Sequence, residues 1–139
     1  MKRELTEKLH TKYPAIFHPE PDYYIGLDCG EGWFEIIDEL CSEIMQSCGD
    51  NIPIATQVKE KFGRLCFYYT VNSKDKAISE VISKAEQKSE TICEVCGAKG
   101  TLRDKKTWVK TLCDKDAQKL GYTDVVEEVE NEGQAKRLV

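Results

Sequence analysis

At 139 residues, with 40% hydrophobic and 32% charged side chains, the chain has room for one compact domain, or one domain plus a metal-stabilised appendage. This composition excludes a wholly disordered chain, and no apolar run approaches the roughly 20 residues that span a bilayer. The net charge of −5 is uneven: residues 1–92 hold 11 Lys/Arg against 16 Asp/Glu, residues 93–122 hold 7 against 4, and residues 123–139 hold 2 against 5. The start, Met1-Lys2-Arg3-Glu4-Leu5, has no apolar core behind it, so a cytoplasmic protein without a secretory signal is expected.

In chain order, Leu5 to Phe17 begins helically and is expected to stop at Pro14, with residues 18–26 a loop bearing Pro19 and Pro21. The strongest helix pattern runs from Trp33 to Cys48, where Trp33, Ile37, Leu40, Ile44 and Cys48 recur at three- and four-residue steps. Gly30-Glu31-Gly32 opens it and Gly49-Asp50-Asn51 closes it. A hairpin follows, Ile54–Phe62 and Leu65–Val71, with Gly63-Arg64 as its turn. Val58 and Phe62 alternate with Lys59 and Lys61, as in a half-solvated strand. The apolar run Cys66–Tyr69 predicts burial on both faces. A second helix is expected from about Asp75 to Thr91, with Ile78, Val81, Ile82 and Ala85 inward. The acidic segment 123–139 reads as a frayed helix or a disordered tail.

Seven cysteines in a chain expected to be cytoplasmic argue against a disulfide framework. Cys41, Cys48 and Cys66 fit core positions. Cys29 lies before a helix start that would lower a thiol pKa, a weak nucleophile signal without a base nearby in sequence. Cys93-Glu94-Val95-Cys96-Gly97 has the form of a zinc knuckle, in which two thiolates grip one tetrahedral ion and glycine turns the chain back beneath it. Cys113 follows, after a strand-like Trp108–Leu112 and before a short helix expected at Asp114–Leu120. Knuckle, hairpin, then a ligand at a helix start is the order of a treble-clef finger.

The fourth ligand at the usual spacing would be Asp116; Asp114, His10, His18 or a water are the alternatives. An open fourth position would mark a catalytic zinc, and a degenerate site would stay empty; structural zinc is the reading the spacing favours. A redox-active Cys93/Cys96 pair is disfavoured because the motif follows a helix and precedes glycines. A chelator is therefore expected to melt the finger and spare the body.

Several motifs together carry a resemblance: Gly32-Trp33-Phe34-Glu35-Ile36-Ile37-Asp38-Glu39-Leu40-Cys41, Val58-Lys59-Glu60-Lys61-Phe62-Gly63, Phe67-Tyr68-Tyr69, and Cys93-x-x-Cys96-Gly97 with Trp108 and Leu112-Cys113-Asp114. In these, residues 5–120 resemble a group of small phage and prophage proteins. The resemblance implies a histidine where this chain has Asp116, hence a Cys₃His site from which this chain departs. It implies architecture and origin, and brings no activity with it.

The fold expected is α+β: a helix–hairpin–helix body over residues 1–92, a treble-clef-like zinc finger over 93–122, and the tail. The function expected is binding, not catalysis. Glu31, Glu35, Asp38, Glu39 and Glu43 form an acidic helix face suited to a basic groove on a host protein, such as a defence protein that a phage would inhibit. A plain solvated helix face is the simpler explanation of such a series. The alternative is nucleic-acid binding by Arg103, Lys105, Lys106 and Lys110, with Trp108 either stacking on a base or, more simply, filling the finger core. As an enzyme the chain offers little: His10 and His18 are its two histidines, read as surface or capping residues, and no phosphate loop or nucleophile elbow is present.

Overall fold

The computed structural model describes residues 1–125, and within them the chain is α+β, with helices packed on two small sheets. Helix α1 (Arg3–Lys12) is followed at once by α2 (Pro14–Phe17). Pro14 does end the first helix, but it also starts the second, because its fixed φ and missing N–H suit a first helical turn. After the loop of residues 18–26 comes strand β1 (Leu27–Asp28), then a 3-10 turn (Glu31–Trp33) that runs into α3 (Phe34–Ser47). Strands β2 (Ile54–Lys61) and β3 (Arg64–Thr70) form the predicted hairpin, and β1 joins β2 in parallel through Leu27/Val58 and Asp28/Lys59. Helix α4 (Lys76–Ser89) is capped by Asp75, whose carboxylate accepts the Ala77 N–H at 2.9 Å.

Two hairpin details differ from expectation. The turn is Phe62-Gly63, one residue earlier than the sequence pattern placed it, with φ of +53° and +80°. Positive φ at both central residues is the type I′ geometry that matches strand twist. Phe62 thereby leaves the strand and is 68% exposed. Strand β3 is buried on one face only: Leu65 and Phe67 are inside, Cys66 is half-buried, and Tyr68 is exposed.

The core lies between these helices and the first sheet. Leu9, Ile16, Phe17, Trp33, Ile37, Ile44, Val58 and Leu65 are all fully buried there, with α3 against α4, α4 against β3 and α2 against β2. Burial of such side chains contributes about 1.5–3 kcal/mol each before conformational entropy is set against it.

The C-terminal part follows α4 directly. Strands β4 (Thr101–Lys105) and β5 (Trp108–Leu112) pair antiparallel, and α5 (Asp114–Leu120) ends at Gly121 in the left-handed conformation. Thr123–Asp124 forms β6 beside β4. The tail expected from residue 123 is thus corrected at its start, where two residues complete the second sheet; residues 126–139 lie outside the described residues. No helix among the described residues is long and apolar enough to cross a membrane.

Candidate metal centre

Cys93 and Cys96 are brought together by the knuckle. The Cys93 N–H donates to Ala98 O at 2.6 Å, the Gly97 N–H returns to Cys93 O at 2.9 Å, and Gly97 takes φ +84° to make the turn. Cys113 caps α5, its sulfur accepting the Asp116 N–H at 3.4 Å. One helical turn on, the Asp116 carboxylate swings back beneath that sulfur.

The result is a four-residue cluster, Cys93, Cys96, Cys113 and Asp116, whose ligand atoms lie within 4.8 Å of one another and close enough to hold a metal ion. Asp116 Oδ2 is 3.3 Å from Cys93 Sγ and 3.2 Å from Cys113 Sγ, and the Cys96 and Cys113 sulfurs are 3.6 Å apart. A tetrahedral zinc with bonds of about 2.3 Å to sulfur and about 2.0 Å to oxygen would set these separations near 3.8 and 3.5 Å. The donor set therefore fits such an ion with shifts of a few tenths of an ångström.

Without an ion, the side chains of the cluster satisfy one another. The Cys96, Cys113 and Cys93 thiols hydrogen-bond the Asp116 carboxylate and hold its pKa below the usual carboxylate range. The Ala98 backbone draws the Cys96 thiol down, but Asp116, burial and the two neighbouring sulfurs outweigh it and push it up to about 12. The thiols thus keep their protons beside the carboxylate, and binding of a metal would release them.

The other candidates for a fourth ligand lie elsewhere. Asp114 turns outward to Arg103, Oδ1 to Nη2 at 2.5 Å. His10 is a buried residue, not a surface one: it stacks on Phe17 and Tyr24 and bonds Ile25 O through Nε2 at 2.8 Å. His18 is half-buried beside it and bonds Tyr23 O.

Glu94, between Cys93 and Cys96, joins the C-terminal part to the body. It is 4% exposed; Oε2 accepts the Gly30 N–H at 2.9 Å and its carbonyl accepts the Gly32 N–H at 2.7 Å. Oε1 meets Lys110 Nζ at 3.3 Å; burial works against that ammonium, but Glu94 and Glu60 hold its pKa above the ordinary value. The approach is so close that a Cβ on Gly32 would lie 2.1 Å from Cys93 O, and one on Gly30 2.3 Å from Glu94 O. Trp33 Nε1 donates to Ile92 O at 2.9 Å, just before the knuckle, and Thr111 Oγ1 donates to Gly63 O at 2.6 Å. The signal for this seam is the pair Gly30 and Gly32 ahead of α3, which opens the helix and also admits the knuckle backbone.

The remaining predicted site residues divide. On the acidic face, Lys2 meets Glu31 at 3.5 Å, Lys12 meets Asp38 at 2.9 Å, Lys88 meets Glu39 at 2.7 Å and Lys84 meets Glu43 at 3.7 Å. Glu35 makes no ion pair among the described residues. Burial opposes the Asp38 charge, but the Tyr13 hydroxyl and Lys12 outweigh it and hold that carboxyl below its usual range.

Among the basic residues, Arg103 is held by Asp114 and Asp124, Lys110 by Glu94, and Lys105 Nζ reaches Leu120 O at 3.1 Å. Lys106, at the hairpin turn with φ +57°, is exposed and has no such partner among the described residues. Trp108 is 72% exposed, which corrects its expected place in the finger core: the cluster around Cys93, Leu112 and Ala117 fills that core instead. Cys29 is also corrected: burial and Glu94 push its thiol up to about 12, where the helix start was expected to lower it.

No family model matches the chain, and neither a curated protein nor a solved structure matches it.

Proposed function

We propose that this protein is a zinc-stabilised, treble-clef-like binding module of phage type. Its work is recognition of a host protein in the cytoplasm, not catalysis. The observation that carries the reading is the four-donor cluster. Three sulfurs and one carboxylate complete a tetrahedral shell, whereas catalytic zinc sites keep a position open for water or substrate. Zinc is favoured over harder divalent ions because three of the four donors are thiolates.

The acidic face supplies the partner surface in this reading, and the likeness to small phage proteins makes a host protein the natural partner. Nucleic acid is less favoured, since Arg103, Lys105 and Lys110 are engaged within the finger.

Metal analysis of the purified full chain is expected to return one zinc per molecule. Replacement by Co²⁺ is expected to give a tetrahedral visible spectrum that added azide leaves unchanged. A spectrum that azide shifts would reveal an open position and overturn the structural-zinc reading. Capture from host lysate by the tagged chain and by a variant carrying Glu35→Lys, Asp38→Lys and Glu39→Lys tests the acidic face, and equal recovery of the same partner would remove it.

A further inference from the structure

A groove of about 580 Å³ runs between the N-terminal end of α3 and the knuckle, bordered by the cluster residue Cys96 and floored by Ile36 of the core. Its apolar lining includes Leu5, Phe34 and Ile92, all half-buried, and Val95, which is 43% exposed inside the Cys93–Cys96 loop. An exposed valine in a knuckle over half-covered apolar side chains is surface that a partner can bury.

The charge along this groove is one-sided. Glu31, Glu35 and Glu39 line it at steps of four residues, so they form one ridge along the helix edge. The only cation among the lining residues is Lys88, which is paired with Glu39, while Lys2 reaches Glu31 from outside the groove. Glu35 is left without a counterion among the described residues. The exposed ligand Cys96 stands at the groove's other edge. With a divalent ion bound, three thiolates and one carboxylate leave that cluster formally negative as well, and a thiolate sulfur at the surface accepts N–H donors.

We propose that this groove docks a basic, amphipathic peptide segment of the partner protein. One Lys or Arg of the segment would lie between Glu35 and the Cys96 edge, and an adjacent aliphatic or aromatic side chain would sit over Phe34 and Val95. Nucleic acid and anionic lipid carry the wrong charge for this wall, and a neutral apolar segment would leave Glu35 unpaired. The inference rests on the binding-module reading and locates its surface at Glu35 on the knuckle end of the acidic ridge, since Glu31, Asp38, Glu39 and Glu43 already pair with lysines of this chain.

The test uses the zinc-loaded full chain and a random 12-residue peptide library displayed on phage. Enriched peptides are expected to pair Lys or Arg with an apolar neighbour. Their affinity, read by calorimetry, is expected to fall at least about tenfold in Glu35→Lys and in Val95→Asp, but to stay within twofold or so in the distant Glu80→Lys. Zinc content and melting temperature establish that each variant is folded.

Peptides that bind equally well to Glu35→Lys would overturn the groove while leaving the binding-module reading standing. Failure of any peptide to enrich above blank resin overturns the groove, and the lysate capture then decides the broader reading separately. Self-association that Glu35→Lys abolishes, or an oligonucleotide bound at this face, would assign the groove to a second copy or to nucleic acid and equally overturn the proposal.

Discussion

At the scale of single residues, Asp116 is the position with the clearest consequence. Its carboxylate lies 3.2 and 3.3 Å from two of the three sulfurs, so Asp116→Ala removes a donor and leaves three thiols facing an open corner. Zinc affinity measured by competition with a chromophoric chelator is expected to fall at least about tenfold, since even loss of a supporting contact to a ligand costs that much. Asp116→His supplies the common Cys₃His set and is expected to restore affinity. If Asp116→Ala binds zinc as tightly as the parent, the carboxylate is not a ligand.

His10 gives a second residue-scale expectation. Burial lowers its pKa from 6.5, opposed by the Ile25 carbonyl and Glu7 and assisted by His18. With the folded value below the unfolded one, the unfolded chain takes up the proton first as pH falls. The stabilising contribution is therefore complete above about pH 6.5 and is lost progressively as pH drops through the folded value. Thermal melts between about pH 7.5 and 5 are expected to show this decline, and His10→Phe to flatten it.

At the scale of elements, the knuckle is seated on the start of α3 by backbone contact. Gly32→Ala would drive a Cβ to 2.1 Å from Cys93 O, and the three nearest atoms, Cys93 O, Gly97 N and Glu94 C, are all main chain that cannot swing aside. Overpacking of this kind costs about 1–3 kcal/mol, and here it is expected also to lower zinc affinity, because the displaced atom belongs to a ligand residue. Urea titration of the holoprotein and chelator competition read the two effects together. The second seam is the β2–β3 turn against β5. Thr111→Val removes the 2.6 Å bond to Gly63 O, and a destabilisation of about 1 kcal/mol is expected in the same titration.

For the whole molecule, these seams change what metal removal should do. The sequence boundary at residue 92 led to the expectation that a chelator would melt the finger alone. In the structure Glu94, Gly30, Gly32, Trp33 and Thr111 tie the two parts through hydrogen bonds, of which that from Thr111 to Gly63 is buried. Metal binding energy in such sites is folding energy, so it is shared by whatever is packed upon the site. Chelation is expected to lower the melting temperature of the entire chain in one transition. Trp33 is fully buried and Trp108 largely exposed, so Trp108→Phe leaves a fluorescence reporter of the body alone. A red shift of Trp33 emission on chelation marks coupled loosening. No shift while zinc departs would restore the two-part picture.

Local rules were enough for much of this protein. The periodicity of Trp33–Cys48 specified α3 nearly to its ends, because a helix of that length declares its buried stripe every three to four residues. Cys93, Cys96 and Cys113 were legible from their spacing, whereas the fourth place was open among Asp116, Asp114, the two histidines and water until the fold brought Asp116 to the sulfurs. Tertiary structure alone decided the rest. Whether Trp108 and Phe62 face water depended on which side of each hairpin met a neighbour, and composition carries no record of that. The pairing of four of the five acidic residues with lysines from α1, α4 and the N-terminus joins positions up to 49 residues apart. The seat of the knuckle on Gly30 and Gly32 spans more than 60 residues of chain, so only the folded molecule shows why glycine is required there.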